Sequence, residues 1–280
     1  MKLDRATVGT GTPGRATEGI RPPERAIVGS GTPEHAWQAW PDLAAIPACT
    51  LGNLVPEGAR VVVVAPHPDD EVLAFGGMLA MLAAQGTPIM LVAVTSGDAS
   101  HPGSAQWPAP RLARRRTLES AEGLRRLGLR QPACLRLAIP DGSVRQYRAV
   151  LEGCLREALR PDDVVLTTWE LDGHPDHEAT AEAVGRACQP IGARHFQAPV
   201  WMWHWAAPGD TRVPWNRMRR LRLSDDALIR KERAISAHAT QLGPQDTGAP
   251  AVLSSAVLAR SLRCFEVLLP MPQPPWSAAL

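Results

Sequence analysis

Four consecutive valines, Val61–Val64, restrict the possible folds of this chain more than any other feature of its sequence. Flanked by Arg60 and Ala65, they form an uninterrupted β-branched run, which is typical of a strand buried on both faces. Such a strand lies inside a parallel sheet that helices cover on both sides. The chain has 280 residues, of which 45% are apolar, and this is enough for one sizeable core.

The same alternation of strand and helix continues along the chain. Further strands are predicted over residues 89–94, 134–138, 164–168, 199–205 and 263–269, and helices over 72–85, 111–127, 147–159, 178–187 and 225–239. Strands that alternate with helices form right-handed βαβ units. We therefore predict an α/β fold with a mostly parallel sheet and helices on both of its faces.

The pattern divides the chain into three parts. Residues 1–50 are predicted to be an N-terminal arm, extended or partly disordered, because they are rich in Gly, Thr and Pro. The arm contains an approximate repeat of Ala6–Pro13 at Ala26–Pro33, and Trp37 and Trp40 are expected to anchor its end. Residues 51–270 are predicted to form a single domain, and residues 271–280 a C-terminal tail.

Composition excludes several classes of function. The net charge is only +2, without the basic surface that nucleic acid requires, and the arginine runs 114–116 and 217–222 are interpreted chiefly as solvated faces. The five cysteines are far apart and include no C-x-x-C, which favours a reducing compartment. No segment resembles a signal peptide or a membrane span, so we expect a cytoplasmic protein.

Two segments rich in histidine and aspartate follow the first and the fourth of the predicted strands. His67–Glu71 (HPDDE) comes directly after the valine strand, and His174–His177 (HPDH) follows the strand over 164–168. The carboxyl ends of parallel strands lie at one edge of a sheet, where ligands bind in open α/β folds. The two segments are therefore expected to meet.

Their residue types indicate a catalytic metal. Two imidazoles, one carboxylate and an open position for water form the ligand set of catalytic zinc, and His67 and Asp70, like His174 and His177, are three residues apart. Of the surplus groups, Asp69 can take a proton from the metal-bound water and His174 can stabilise the oxyanion. Spacing alone leaves open whether Asp69 or Asp70 is the ligand.

The combination of A-P-H-P-D-D-E at 65–71 with G-H-P-D-H at 173–177 resembles the PIG-L/LmbE-like deacetylases, named for N-acetylglucosaminyl-phosphatidylinositol de-N-acetylase. The resemblance covers roughly residues 60–265 and leaves residues 1–50 without a counterpart. It implies a Rossmann-like α/β fold and zinc-dependent removal of an acetyl group from an N-acetylglucosamine-containing molecule. The roles that it implies are zinc ligands His67, Asp70 and His177, general base Asp69, and acid or oxyanion stabiliser His174.

The resemblance also implies that Arg116 and Asp141 contact the sugar. Each has a simpler explanation, because Asp141 lies in a Pro-Asp-Gly turn and Arg116 could form an ion pair with Glu119 on one helix. Glu71 and Asp176 are interpreted as residues that cap the first turns of their helices. Glu71 could alternatively hydrogen-bond a ligand histidine.

Deacetylation of a small amino sugar is therefore the leading hypothesis. The nearest alternative is an amidase that acts on a larger acylated or thiol-conjugated substrate. A non-catalytic sugar-binding or nucleotide-binding protein is the alternative from another class, although no G-x-G-x-x-G follows the first strand. Zinc is the expected cofactor, while iron, cobalt or manganese also bind such sites. The sequence carries no indication of the oligomeric state.

Overall fold

The computed structural model describes residues 25–272, and within this range eight strands form one mixed sheet. The order across the sheet is β1-β7-β8-β6-β5-β2-β3-β4. The strands are β1 (Ala48–Cys49), β2 (Val61–Ala65), β3 (Ile89–Thr95), β4 (Ala133–Ile139), β5 (Val164–Thr168), β6 (Arg194–Ala198), β7 (Arg219–Arg222) and β8 (Phe265–Pro270).

Eleven α-helices connect these strands in the described part of the chain. They are α1 (Glu34–Gln38), α2 (Pro41–Ala45), α3 (Leu51–Leu54), α4 (Asp70–Ala84), α5 (Ala109–Arg126), α6 (Arg148–Ala158), α7 (Pro175–Ile191), α8 (Met202–Trp205), α9 (Asp225–Ile235), α10 (Ala239–Leu242) and α11 (Ser255–Ser261). None of the described helices is long and apolar enough to cross a membrane.

The five strands β4-β3-β2-β5-β6 run parallel, as the valine run predicts. Val61 and Val63 pack with α4 on one face of the sheet, whereas Val62 and Val64 pack with α6 and α7 on the other. Burial of both faces explains why the strand has no polar residue between Val61 and Ala65. The predicted α/β class, with helices on both faces, is confirmed.

The other side of the sheet differs from the sequence prediction. Strand β8 runs antiparallel to both β6 and β7, and β1 adds parallel to β7 at the edge. The prediction of a strand over residues 199–205 is wrong, because Met202–Trp205 is the short helix α8. The backbone N–H groups of Val200, Trp201 and Met202 donate to the carboxylate of Asp172 instead of to a neighbouring strand.

The described part of the predicted arm, residues 25–50, is folded rather than extended throughout. It contains α1, α2 and the edge strand β1. Trp37 is fully buried against Trp203 and Met218, and its indole N–H donates to the backbone oxygen of Trp203. Arg263 forms a bidentate ion pair with Glu34. The burial of Trp37 explains why this part of the chain is folded. Residues 1–24, with the first copy of the repeat, and residues 273–280 lie outside the described range.

Candidate active site

Both histidine-containing motifs leave the carboxyl ends of adjacent parallel strands. His67 lies between β2 and the start of α4, and His174 lies between β5 and the start of α7. Strands β2 and β5 are hydrogen-bonded in parallel, with Val64 opposite Thr167. The two motifs, more than a hundred residues apart in sequence, therefore meet at one edge of the sheet.

Three side-chain atoms of these motifs form a nearly equilateral triangle. His67 Nδ1 lies 3.2 Å from Asp70 Oδ2 and 3.3 Å from His177 Nε2, and His177 Nε2 lies 3.2 Å from Asp70 Oδ2. A tetrahedral zinc ion with bonds of about 2.0–2.1 Å separates its ligand atoms by about 3.3 Å. The triangle therefore fits three ligands of such an ion, and it contains Asp70 rather than Asp69.

A buried carboxylate orients the ring of His177. Asp172 Oδ2 lies 2.8 Å from His177 Nδ1, so that His177 Nε2 points toward Asp70. The backbone N–H groups of Trp201 and Met202 donate to the same carboxylate and fix its position. A histidine that donates from one ring nitrogen to a carboxylate presents the other nitrogen to a metal, as in many zinc sites.

The ring of His67 is held in a similar way. Its Nε2 lies 3.2 Å from Asp141 Oδ1 and 3.3 Å from Asp176 Oδ2. Asp176 also accepts the backbone N–H groups of Gly142 and Val144. Asp176 therefore connects the loop after β4 to the start of α7 by hydrogen bonds. It also contacts the predicted zinc ligand His67, a contact that the predicted helix-capping role does not include.

Asp141 lies at the site, but its hydrogen bonds are directed to the protein. One carboxylate oxygen faces His67 and the other accepts the backbone N–H of Ala99 at 2.9 Å. These contacts hold the pKa of Asp141 below its usual value although burial alone would raise it. The side chain thus does more than form the Pro-Asp-Gly turn, because it joins two loops at the rim of the site.

Asp69 has an unusual backbone conformation, and its carboxylate is hydrogen-bonded to Arg116 rather than forming part of the triangle. Its φ of 152° and ψ of −25° lie in a region that costs free energy for a residue with a side chain. Asp69 Oδ2 accepts a hydrogen bond of 2.9 Å from Arg116, which also donates to the backbone oxygens of Gly97 and Pro68. Burial raises the pKa of Asp69 to about 7, with Arg116 opposing and the Asp70 carboxylate adding to the rise.

Arg116 therefore does not form the ion pair with Glu119 that its helical spacing allows. Glu119 accepts instead from Arg115 Nε at 3.0 Å and from the backbone N–H and hydroxyl of Thr240. Glu71 likewise accepts the Ser120 hydroxyl and the backbone N–H of Asp69, so its contacts stabilise the motif loop rather than a histidine. Arg116 and Glu71 thus both form hydrogen bonds with the strained residue Asp69.

Opposite charges pair closely within the triangle. Burial alone would lower the pKa of His177, but Asp70 and Asp172 raise it to about 9. Burial alone would raise the pKa of Asp70. The neighbouring His177 and His67 outweigh the effect of burial and hold this pKa well below its usual value. His174 differs, because burial and the neighbouring His177 and His67 lower its pKa to about 3. His174 is therefore a neutral imidazole at neutral pH.

Residues 62–188 match the family model described as "PIG-L: GlcNAc-PI de-N-acetylase". Over this segment the chain is similar to the PIG-L family. This confirms the resemblance that the two motifs indicate, and the matched segment extends from β2 into α7 and contains every motif residue at the site.

Two curated bacterial proteins are similar to this chain. The 1D-myo-inositol 2-acetamido-2-deoxy-alpha-D-glucopyranoside deacetylase of Rhodococcus erythropolis is 26% identical over 256 residues, covering 71% of this chain and 86% of that protein. The probable N-acetyl-alpha-D-glucosaminyl L-malate deacetylase 2 of Bacillus anthracis is 30% identical over 142 residues, covering 47% and 60%. The crystal structure of a zinc inhibited form of teicoplanin deacetylase has the same fold, with a TM-score of 0.59, 17% identity, and coverage of 78% and 99%.

A cleft with a volume of ≈ 290 Å³ opens at the triangle. Its lining combines charged and polar side chains with apolar ones. The lining residues are His67, Asp69, Asp70, Leu73, Ala99, Ser100, Arg116, Asp141, Gly142, His174, Trp201, Gln241, Val252 and Leu253. Of the five predicted zinc ligands and catalytic residues, all except the deeply buried His177 thus line a space of the size of a small polar ligand.

The sequence prediction assigned no role at the site to two residues that shape it, Asp172 and Gln241. Asp172, which fixes the His177 ring, lies in the loop before the second motif. Gln241 lines the cleft although it lies far along the chain, in α10. The available signal for Asp172 was a carboxylate five residues before a predicted ligand, whereas nothing in the local sequence places Gln241 at the cleft.

Proposed function

We propose that this protein is a zinc-dependent N-deacetylase that acts on a small N-acetylglucosamine-containing molecule. The observation that carries the proposal is the triangle of His67, Asp70 and His177, because its sides of 3.2–3.3 Å match one face of a tetrahedral zinc site. Three protein ligands leave one position for water or substrate, which distinguishes a catalytic from a structural zinc site.

The donor set supports zinc. Two imidazole nitrogens and one carboxylate oxygen are typical zinc ligands, and each histidine has its second nitrogen against a carboxylate, Asp172 for His177 and Asp176 for His67. A bound zinc ion supplies a Lewis acid for the substrate carbonyl and lowers the pKa of a water molecule to about 7.

Asp69 is proposed as the general base. Its carboxylate lies beside the predicted ligand Asp70, lines the cleft and is held by the Arg116 guanidinium at 2.9 Å. A pKa near neutrality suits a group that takes a proton from the attacking water and returns it to the departing amine nitrogen. The water oxygen bonds to the acetyl carbon, the C–N bond breaks, and acetate and the free amine leave.

His174 is proposed to stabilise the oxyanion as a neutral hydrogen-bond donor. Its Nδ1 accepts the backbone N–H of Asp176 at 3.2 Å, so the proton of the neutral ring lies on Nε2. The low pKa of His174, caused by burial and the neighbouring His177, keeps the ring neutral. A fixed N–H donor at the edge of the cleft can stabilise negative charge on the carbonyl oxygen without reorganisation.

Arg116 and Asp141 remain the proposed sugar contacts, because both line the cleft next to the catalytic groups. The names of the two bacterial relatives, which specify deacetylation of an inositol glycoside and of a malate glycoside, support an amino sugar as the group that enters the cleft. We further propose that residues 51–270 form the catalytic domain. The unpaired state of all five cysteines supports a cytoplasmic location.

The test is release of free amine from N-acetylglucosamine glycosides by protein loaded with one equivalent of zinc. We expect Asp69→Asn to bind zinc like the wild type and to lose activity by about 10²–10⁴-fold. Asp162→Asn, a change at an exposed aspartate in the loop before β5, serves as the control. Full activity of Asp69→Asn with normal zinc content contradicts the assigned base. If the protein cleaves only amides with longer acyl groups, the alternative amidase function is favoured. If it binds zinc but hydrolyses none of the substrates, the non-catalytic alternative is favoured.

A further inference from the structure

Residues 25–32, which form neither a helix nor a strand, bind along α8, and we refer to them as the strap. The backbone N–H of Thr32 donates to the backbone oxygen of His204 at 2.9 Å, and the Thr32 hydroxyl donates to the backbone oxygen of Ala206. His204 Nε2 donates to the backbone oxygen of Val28 at 3.0 Å. The strap is therefore hydrogen-bonded to α8 and to the residue that follows it.

A buried arginine of α11 holds the middle of the strap. Arg260 NH1 donates to the backbone oxygens of Ser30 and Thr32, at 3.2 Å and 2.6 Å, and Arg260 NH2 donates to His204 Nδ1 at 3.1 Å. Arg260 is 5% exposed, and a guanidinium that has lost its hydration at burial requires hydrogen-bond acceptors in the protein. Both acceptors of NH1 belong to the strap. The strap is therefore held by a buried charge and not by surface contacts alone.

The first residue of the strap reaches the loop that carries His174. Arg25 NH1 lies 3.0 Å from Glu178 Oε1, and the same oxygen accepts the backbone N–H of Gly173 at 3.3 Å. The backbone oxygen of Arg25 packs against Gly173, since a Cβ on Gly173 would lie only 2.7 Å from it. Gly173 has a φ of 90° and directly precedes His174. Arg25 therefore contacts the backbone that sets the position of the His174 ring.

Helix α8 connects the strap with Asp172, the residue before Gly173. Trp205 Nε1 donates to the backbone oxygen of Asp172 at 2.8 Å, and the backbone N–H groups at the start of α8 donate to its carboxylate. Trp205 Nε1 also lies 2.9 Å from the position that a Cβ on Gly173 would take. The two residues before His174 are therefore held by α8 and by Arg25 together.

We propose that the strap is a positioning element of the catalytic site. Arg25, acting through Glu178 and Gly173, holds the loop that carries the proposed oxyanion stabiliser, His174. This inference rests on the proposed deacetylase function. The strap lies outside residues 62–188, the segment that matches the family model, so it adds a support that this segment does not contain. A hydrogen-bond donor stabilises the transition state only while its position is maintained, and a displacement of about 1 Å can lower the rate by about 100-fold.

The first experiment breaks the ion pair of Arg25 and measures kcat, KM and zinc affinity with a glycoside of N-acetylglucosamine. We expect Arg25→Gln to lower kcat by about tenfold, because His174 acts in the transition state. KM and zinc affinity should change by less than about twofold, since His174 is not one of the three proposed zinc ligands. Arg25→Lys, which keeps the charge, should recover most of the lost kcat.

Arg148→Gln is the matched control for this change. Arg148 forms an ion pair of 2.7 Å with Glu182, one turn after Glu178 in α7, and its side chain is about as exposed as that of Arg25. The control should leave kcat unchanged. An equal loss of kcat in Arg25→Gln and Arg148→Gln, or no loss in either, overturns the proposal. A loss through KM alone also overturns it, because the strap would then act on substrate binding.

The second experiment displaces the strap from α8. Gly31 and Gly29 have φ values of 64° and 65°, so that an alanine at either position has comparable backbone strain. A Cβ on Gly31 would lie 2.5 Å from the His204 ring, whereas a Cβ on Gly29 would have no atom within 4 Å. Gly31→Ala should therefore lower kcat by about tenfold or more, and the control Gly29→Ala by less than about twofold. Equal kcat values in the two variants overturn the proposal.

A third measurement separates failure of this inference from failure of the proposed function. Amide hydrogen exchange of residues 170–177, followed by mass spectrometry in the zinc-loaded protein, requires no turnover. Faster exchange of this segment in Arg25→Gln and Gly31→Ala, but in neither control variant, supports the strap as a positioning element even if no amino sugar is deacetylated. Exchange at the wild-type rate in all of these variants overturns the inference even if deacetylation is observed.

Discussion

The Nδ1 atom of His177 lies 2.8 Å from Oδ2 of Asp172, and both side chains are completely buried. This contact decides which ring nitrogen of His177 faces His67 and Asp70. In Asp172→Asn the amide can donate to Nδ1 and so favour the tautomer with its proton on Nε2, which cannot bind a metal. We expect zinc affinity to fall by about 10–100-fold, measured by competition with a chromogenic chelator.

Asp163 supplies the control for this change, because it is an equally buried aspartate that pairs with Arg60 away from the cleft. Asp163→Asn is expected to lower stability without changing zinc affinity in the folded protein. Unchanged zinc affinity in Asp172→Asn would show that the carboxylate does not orient the ligand.

The central strands could be predicted from the sequence because burial on both faces leaves a strong signal in composition. Strands β6 and β7 left no such signal, since their sequences, RHFQA and RRLR, are polar. They are strands because β5 and β8 offer them backbone hydrogen bonds. The alternating tryptophans over residues 199–205 predict a strand that does not form for the converse reason, because the N–H groups of Val200, Trp201 and Met202 donate to Asp172 instead of to a neighbouring strand.

Proximity of the two motifs also followed from sequence, because adjacent parallel strands bring their carboxyl ends together. Which of the two carboxylates, Asp69 or Asp70, lies beside the histidines did not follow from sequence, since it depends on the positive φ of Asp69 and on Arg116, which approaches from a different helix. Contacts between distant segments, such as those of Gln241 at the cleft, leave no local pattern that a single sequence can show.

A buried ion pair supports the helix that begins at Asp70. Glu266 in β8 accepts from Lys231 Nζ at 2.7 Å and from the backbone N–H groups of Gly77 and Met78 in α4. Removing one partner leaves the other charge buried and unpaired. We therefore expect Lys231→Met to lower the free energy of unfolding by about 3–5 kcal/mol in urea titrations.

The neighbouring residue Arg230 provides the comparison, because its ion pair with Asp226 is exposed. Arg230→Met should cost less than about 1 kcal/mol. The double variant Lys231→Met with Glu266→Gln should be more stable than Lys231→Met alone, because no unpaired charge remains. If Lys231→Met is as stable as the wild type, the pair does not stabilise the fold.

Trp37 tests whether the described part of the N-terminal arm belongs to the folded unit. Its ring is fully buried, 5.2 Å from the ring of Trp203 between centroids, and Arg263 lies over both rings. Truncation of a large buried aromatic residue costs about 3–5 kcal/mol. We expect Trp37→Ala to lower the thermal midpoint strongly, whereas Gln38→Ala, at an exposed position of the same helix, should have little effect. A small effect of Trp37→Ala would mean that the arm contributes little to stability.

His195 in β6 makes stability depend on pH in a defined direction. It is buried, its Nε2 has no hydrogen-bond partner among the described residues, and burial lowers its pKa to about 3. The folded state therefore keeps the ring neutral, while the unfolded chain binds a proton below a pKa of about 6.5. The stability that the neutral ring contributes is fully present above pH 6.5 and is lost as the pH falls toward 3.

Between pH 7 and pH 5, this one group should reduce the free energy of unfolding by about 2 kcal/mol. In His195→Gln the loss over the same interval should be smaller by that amount, although the variant itself is less well packed at pH 7. His35→Gln, a change at an exposed histidine of α1, should retain the wild-type pH dependence. Urea titrations at both pH values measure the difference, and parallel losses in wild type and His195→Gln would mean that His195 gains its proton without unfolding.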